Sequence, residues 1–313
     1  MATITRLKSP ASQPSFTSLP VLAESFRLSL EAQNKSARTV QTYLEAIARL
    51  DSFLVRSGLP HDVTALQRAH LEAFVKDLLD TQSPATASNR YRALQSFFRW
   101  AVEEEEIERS PMEHMKPPRV PVTPVPVLRE DELAALFKAC EGTAFADYRD
   151  MAIVRLLLAA GLRRAELGGI ALDDLDLKRG SVRVTGKGGR VREVPFGVKA
   201  AQALDRYLRK ARSRHPLARD TDALWLGHAG RMTDNGIYEA IERRAKKAGL
   251  EGVHPHQFRH TWAHLLSADG MQETQLMHLA GWSSTQMAQR YGASALGERA
   301  RATYRRMSPG DKL

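Results

Sequence analysis

The N-terminal third of the chain carries apolar residues at helical spacing. Apolar side chains recur at three- and four-residue steps in two runs, 40–54 and 71–79. Ser83 and Pro84 then open a further amphipathic stretch, and a weaker one precedes the first run. Because each apolar stripe has to be buried against another helix, the pattern predicts a bundle of about four helices over residues 21–108.

A proline-rich segment follows this helical region. Prolines cannot continue a helix and favour an extended, stiff backbone, so residues 109–127 are predicted to form a linker between two domains. Residues 1–20 lack a hydrophobic core segment and are interpreted as a flexible arm, and residues 128–313 form the second domain. The linker prolines are Pro111, Pro117, Pro118, Pro121, Pro124 and Pro126.

The second domain is predicted to be mainly helical around one buried helix. Residues 151–160 are apolar nearly all round, which is typical of a central helix, and Gly161 is placed to end it. Cys140 falls on an apolar helix face, where a small core residue is expected. Beyond residue 196 the pattern predicts helices again, with basic stretches at 210–214 and 243–247.

One segment of the second domain has the alternation of a β-hairpin. Val182 and Val184 alternate with polar residues, and Val191 and Val194 follow a glycine-rich GKGG turn. The fold class predicted from these patterns is therefore mainly α, with a small β-hairpin sheet in the second domain and Lys187 at or near the hairpin tip.

The net charge of the chain indicates what kind of partner it binds. The chain of 313 residues has 46 Lys and Arg against 36 Asp and Glu, a formal net charge of +10. Such a balance indicates an acidic partner, and nucleic acid is the first candidate. A single cysteine allows no intrachain disulfide and fits a reducing cytoplasm, and no apolar run approaches membrane-spanning length.

Three short segments carry the residue types that metal-free phosphodiester cleavage requires. Such a site needs fixed cations on the phosphate oxygens, an oxygen nucleophile that can form a covalent intermediate, and a proton donor for the leaving oxygen. The segments are GLRRAEL, the hairpin turn, and the stretch from HPHQFRH to QRYG. They supply Arg163, Lys187, His256, Arg259, Trp282 and Tyr291.

These segments resemble the tyrosine recombinase, or phage integrase, family. GLRRAEL matches the family's first arginine box, which selects Arg163 over its neighbour Arg164, with Glu166 as the structural partner of Arg163. His256-Gln-Phe-Arg259 matches the H-x-x-R box, and Gly186-Lys187-Gly188 matches the hairpin lysine. Gly281-Trp282 precedes Tyr291 at the family's interval, with Trp282 standing where most Xer-like members have histidine.

The resemblance implies a fold and a reaction. It implies an N-terminal core-binding bundle and a C-terminal catalytic domain that together clamp a DNA duplex. Arg163, Arg259, His256 and Trp282 would hold the scissile phosphate while Tyr291 attacks it and forms a 3′-phosphotyrosine. Lys187 would protonate the leaving oxygen, and neither metal nor cofactor would be needed. The partners implied are double-stranded DNA and a homotetramer, or a heterotetramer with a second recombinase, on paired sites. Residues 297–307 would form a basic helix that docks on a neighbouring protomer.

Several other interpretations remain open at this point. Lys187 could be an exposed turn residue, and Trp282 and Tyr291 could be packed aromatics. His256, His260 and His264 are spaced to share a helix face and could bind zinc, although Arg259 on the same turn disfavours a dication. A type IB topoisomerase would use nearly the same residues without choosing a site. A DNA-binding protein that has lost catalysis would act by occupancy alone.

Overall fold

The structure is a computed structural model, and the chain forms two compact units within it, Met1–Thr123 and Pro124–Leu313. The described residues are 16–121, 126–282, 284, 297, 300, 301, 303–305 and 307–312. The fold is mainly α with small sheets, as predicted. Among the described helices, none has the length and apolar character that a membrane span requires.

The N-terminal unit is the predicted bundle of four helices. Two of them begin at serine caps, because the Ser36 and Ser83 hydroxyls accept hydrogen bonds from backbone N–H groups that have no partner within the helix. The helices are α1 (Leu19–Ala32), α2 (Ala37–Arg56), α3 (Arg68–Thr81) and α4 (Pro84–Glu103).

The core of this unit is rich in aromatic residues. Phe26 of α1 packs edge-on against Phe97 of α4, with ring centroids 5.5 Å apart, and also contacts Trp100. Met112, which lies within the predicted linker, is 1% exposed and belongs to the same core. The first linker residues therefore pack on the bundle, and residues 104–121 contain no helix.

The C-terminal unit is built around α6, which confirms the predicted central helix. Its buried residues include Ile153, Leu156 and Leu157, and α8, α9 and α10 pack against it. Cys140 lies in this core, where burial raises the pKa of its thiol to about 12. The helices are α5 (Glu130–Ala139), α6 (Phe145–Ala160), α7 (Arg164–Gly169), α8 (Val198–Lys210), α9 (Asp234–Lys247), α10 (Pro255–Ala268) and α11 (Glu273–Ala280).

The predicted hairpin is present and forms part of a three-stranded antiparallel sheet. In order, its strands are β1 (Leu175–Asp176), β2 (Ser181–Thr185) and β3 (Val191–Pro195). Val182 pairs with Val194 and Val184 with Arg192, so the buried valines of β2 lie against the core. The two-residue strand β1 has no alternation of its own and was not predicted.

A second small hairpin lies where the sequence pattern predicts only helix. It consists of β4 (Leu226–Gly227) and β5 (Gly230–Arg231). The helical prediction is wrong here because tertiary contacts fix this segment. The Trp225 ring stacks on Tyr207, and the Tyr207 hydroxyl bonds the backbone of both Leu224 and Leu226. Further on, the described residues of the tail 297–307 are helical, in agreement with the prediction.

Candidate active site

The turn between α6 and α7 places Arg163. Gly161 ends α6 in the left-handed conformation, with φ +57°, and a Cβ at this position would lie 2.3 Å from the Trp262 ring. The chain then extends through buried Leu162, and Arg163 becomes the N-cap of α7. Gly161 therefore reverses the chain and leaves room for Trp262. Together these two features fix the position of the Arg163 backbone.

Glu166 on the first turn of α7 holds two arginines. Its Oε1 accepts hydrogen bonds from Arg163 Nη1 at 2.6 Å and from Arg192 Nη1 at 2.8 Å. Its Oε2 accepts from the Arg163 backbone N–H at 2.9 Å and from Arg192 Nη2 at 2.8 Å. Glu166 is therefore the partner of Arg163, as predicted, and it orients both the backbone and the guanidinium of that residue.

The Glu166 carboxyl is buried but ionised. Burial alone would raise its pKa, yet the hydrogen bonds from Arg192 and Arg163 outweigh this effect and lower the pKa to about 2. The carboxylate therefore stays ionised at neutral pH.

Arg259 approaches the same region from α10. Its Nη1 donates to the Gly161 carbonyl and its Nη2 to the Ala280 carbonyl, both at 2.6 Å. The guanidinium carbon lies 5.1 Å from the centroid of the Trp282 ring. Arg259 is 1% exposed, so its position is determined on several sides by helix ends and an aromatic ring.

The end of α11 brings these arginines together. The carbonyls of Leu279, Ala280 and Gly281 accept hydrogen bonds from Arg192 Nε at 2.9 Å, Arg259 Nη2 at 2.6 Å and Arg163 Nη2 at 3.3 Å, respectively. Carbonyls of the last helical turn have no partner within the helix and form its negative end. Three successive carbonyls thus each bind a different arginine, and one helix terminus sets the relative positions of all three.

Trp282 follows directly and has two kinds of contact. It is 7% exposed and packs with Trp262 and Leu276, as the core interpretation expected. Its ring also faces Arg259. The structure therefore brings together Arg163, Arg259 and Trp282 of the predicted set.

His256 lies on the same helix as Arg259, one turn earlier. It is exposed at the start of α10, and its ring contacts buried His260 edge-on at 4.5 Å between centroids. Within the described ranges, no group of three or more His, Cys, Asp or Glu side chains is arranged to hold a metal ion, the three histidines of α10 included.

Of the two remaining predicted residues, the structure describes only the backbone of Lys187. The backbone of Lys187 lies in the loop between β2 and β3, which a hydrogen bond from Gly186 N to Arg190 O closes at 2.7 Å. The side chain of Lys187 and the whole of Tyr291 lie outside the described residues. Arg164, the rival of Arg163, is exposed and lies 3.8 Å from Asp234, outside the arginine cluster.

Arg192 belongs to this site and was missed by the sequence prediction. A signal was available, because Arg192 and buried Val194 are two residues apart on β3 and therefore point to the same face of the sheet. A charged residue on an inward-facing strand position needs a buried partner. Glu166 is that partner.

The cluster can bind an anion. Arg163, Arg192 and Arg259 carry three positive charges, and Glu166 carries one negative charge. The excess of two positive charges is held by short hydrogen bonds, so the donors are preorganised. Guanidinium groups suit phosphate oxygens because their N–H groups lie in a planar fork.

Comparisons with known proteins agree with this chemistry. A model of the phage integrase family matches residues 126–297, more than half of the chain, and a model of the family's N-terminal SAM-like domain matches residues 22–108. The chain belongs to the phage integrase family. It is a site-specific tyrosine recombinase of that family, an enzyme that cleaves and rejoins DNA strands.

Relatives of this integrase-family chain align along most of their length. The tyrosine recombinase XerC of Myxococcus xanthus is 31% identical over 88% of this chain and 93% of its own. XerC of Pelotomaculum thermopropionicum is 34% identical over 90% of this chain and 95% of its own. The Tn1549 transposon integrase, solved with transposon right-end DNA, shares the fold at TM-score 0.74 with 19% identity, covering 93% of this chain and 99% of that one.

Proposed function

We propose that this recombinase cuts one strand of double-stranded DNA with the phenolic oxygen of Tyr291 and holds the strand as a 3′-phosphotyrosine. The observation that carries the proposal is the end of α11, where hydrogen bonds hold Arg163 and Arg259 next to Trp282. Tyr291 follows Trp282 by nine positions in the sequence, the interval at which the family resemblance places the nucleophile.

In this proposal the arginines bind the scissile phosphate. A guanidinium group presents its N–H donors in a planar fork, and those of Arg163 and Arg259 would donate to the non-bridging oxygens. They would thereby stabilise the negative charge that develops there in the transition state. Because Arg259 is 1% exposed, DNA binding has to open the surface over its guanidinium. His256 and the indole N–H of Trp282 would add hydrogen bonds.

The reaction balances without an energy source. The Tyr291 oxygen forms a bond to phosphorus as its proton passes to solvent water, and the bond from phosphorus to the 5′ oxygen breaks. Lys187 gives the 5′ oxygen a proton, which leaves a free 5′-hydroxyl. Attack of a 5′-hydroxyl from another strand reverses these steps, so rejoining uses the energy conserved in the phosphotyrosine.

The same proposal covers the partners. Exchange between two duplexes requires four active sites, so we propose a tetramer on paired sites, with the basic tail 297–307 docking on a neighbouring protomer. Solved relatives include XerH bound to its difH substrate and a lambda integrase dimer bound to a core site. We also propose a cytoplasmic location, which is compatible with the DNA substrate and with a free, buried Cys140.

A covalent-capture experiment tests the proposal. The full-length protein is incubated with a pool of nicked duplexes of randomised sequence, and adducts are resolved on a denaturing gel and sequenced. We expect a 3′-linked adduct that is enriched in one sequence and absent from Tyr291→Phe. Tyr238→Phe removes the hydroxyl of a half-buried tyrosine on α9 and serves as the matched control. We expect it to form the adduct in wild-type yield.

Other outcomes favour the rival functions. Adducts spread evenly over the pool would indicate a type IB topoisomerase. Retention of bound DNA with no adduct from the unmodified protein would indicate a DNA-binding protein without catalysis. Either result overturns the proposal.

A further inference from the structure

We propose that Arg192 is a positioning residue of the cleavage reaction, which holds Arg163 in alignment with Arg259 through its contacts with Glu166 and the end of α11. This inference rests on the proposed function. It assigns no contact between Arg192 and DNA.

The first step is the geometry of the carboxylate. Arg192 uses both terminal nitrogens on Glu166, one on each oxygen and both at 2.8 Å. Such a bidentate pair fixes the carboxylate plane as well as its position. Since the same two oxygens accept the Arg163 backbone and side chain, the orientation of Arg163 follows from that of Arg192.

The second step is the charge. An isolated pair of Arg163 and Glu166 would have no net charge and would do little to stabilise the extra negative charge that develops on the phosphate in the transition state. With Arg192 present, the three groups carry one net positive charge. Arg192 is shielded, with 13% of its side chain exposed, whereas Arg163 is 37% exposed. The net charge is therefore presented at Arg163, the more accessible of the two.

The third step is the connection to the second arginine. Arg192 Nε donates to the Leu279 carbonyl, one residue before the Ala280 carbonyl that holds Arg259. Gly281 leaves room for this contact, because a Cβ there would lie 3.2 Å from Arg192 Nη1. One side chain thus links strand β3, helix α7 and the end of α11.

Loss of Arg192 should alter the pH dependence of cleavage as well as its rate. Among the described residues, the other charged group that bonds Glu166 is Arg163, and nearby Asp174 and Arg183 are paired with each other. Without Arg192, fewer hydrogen bonds would oppose the effect of burial on the Glu166 carboxyl. Its pKa would therefore rise from about 2. A protonated Glu166 would hold the Arg163 guanidinium more weakly, because it has lost its negative charge, so cleavage would fall off at a higher pH on the acid side.

The test uses three variants of the full-length protein. Arg192→Met removes the charge and the hydrogen bonds but keeps the length, and Arg192→Lys keeps the charge without the fork. Arg179→Met removes an 80% exposed arginine from the turn between β1 and β2 and is the matched control. Single-turnover cleavage of the captured duplex is measured at saturating protein from pH 3 to pH 8, together with DNA affinity and thermal unfolding.

We expect Arg192→Met to cleave about 100-fold more slowly, as a misplacement of about 1 Å can cause. Its DNA affinity should stay within about threefold of the wild type, because Arg192 does not touch DNA, and its acid limit should move to higher pH. Arg192→Lys should recover part of the rate and keep an acid limit closer to wild type. Arg179→Met should match the wild type.

Three results would overturn the inference. One is an Arg192→Met variant that cleaves at the wild-type rate. Another is a loss of rate with an unchanged pH profile and no recovery in Arg192→Lys, which would mean that Arg192 serves only folding. The third is a parallel loss of DNA affinity and rate, which would mean direct DNA contact. If the wild type itself forms no Tyr291-dependent adduct, the proposed function fails instead.

Discussion

At the scale of single residues, Glu166 is a buried acid that keeps its charge. A carboxylate whose side chain is 3% exposed is costly to bury, and two guanidinium groups offset that cost. Its pKa of about 2, below the ordinary value of 4.5, means that the folded protein binds a proton there less readily than the unfolded chain does.

This difference predicts how stability depends on pH. Glu166 should stabilise the fold fully above pH 5 or so, and this contribution should be lost as the pH falls from there towards 2. Glu166→Gln should lower the free energy of unfolding by about 3 kcal/mol at pH 7, and the gap from wild type should close in acid. Urea unfolding at several pH values between 7 and 3 measures it.

The control for this measurement is Glu251→Gln, which changes an exposed glutamate of the same unit. Its unfolding curves should run parallel to those of the wild type across the whole pH range. A Glu166→Gln curve that also stays parallel would show that the carboxylate is not held in the ionised state by its arginines.

The difference between predicted and unpredicted site residues has a physical origin. Arg163 and Arg259 stand in boxes whose neighbours, such as Glu166 and His256, repeat a recognisable chemical order. Arg192 stands alone on a strand, and only its inward-facing phase marks it. That its partners are Glu166 and the Leu279 carbonyl depends on tertiary packing across 26 and 87 residues of sequence, which no local pattern encodes.

At the scale of elements, two structural requirements restrict the position of Gly161 to glycine. It needs a positive φ, and it needs empty space where a Cβ would meet Trp262 at 2.3 Å. Gly161→Ala should therefore destabilise the protein by more than the roughly 1 kcal/mol expected from backbone strain alone. Because the Gly161 carbonyl also holds Arg259, cleavage should slow as well.

Gly58 provides the matched control. It follows α2 with φ +63°, and a methyl group added there would meet no described atom within 4 Å. Gly58→Ala should cost only the strain, about 1 kcal/mol, with wild-type cleavage. Thermal unfolding of both variants decides the point, and equal losses would contradict a steric role for Trp262.

The elements differ in how readily their sequences predict them. Helices α2, α3 and α4 carry apolar stripes over three or more turns, so periodicity alone identifies them. The hairpin of β2 and β3 alternates over five residues on each strand, which is long enough to detect. Strands β1, β4 and β5 have two residues each, too few for any period, and they form because β2 or buried Trp225 is nearby.

At the scale of the whole molecule, each unit has its own apolar core, and the described residues around Arg119 have no helix or strand and are exposed. Limited trypsin digestion should therefore cut after Arg119, since the bond after Lys116 precedes a proline and resists the enzyme. Two fragments, one from each side of this bond, should persist and unfold cooperatively by calorimetry.

Arg119→Gln should slow this cut and leave both units intact. Fragments that are degraded as fast as they are formed would show that the units depend on each other for stability. The absence of helix from the proline-rich segment could be predicted from the sequence because prolines exclude helix, whereas the packing of Met112 on the bundle could not, since it depends on a core assembled from four helices.

The three carbonyls at the end of α11 make the arginines thermodynamically coupled. Displacing that helix end by a fraction of an ångström disturbs Arg163, Arg192 and Arg259 at once, because each loses or strains an anchor there. In a double-mutant cycle the penalties should then overlap instead of adding, since the first substitution already forfeits much of what the second would remove. Selection would therefore act on the three arginines together, because replacing any one of them would already forfeit much of the function that the other two support.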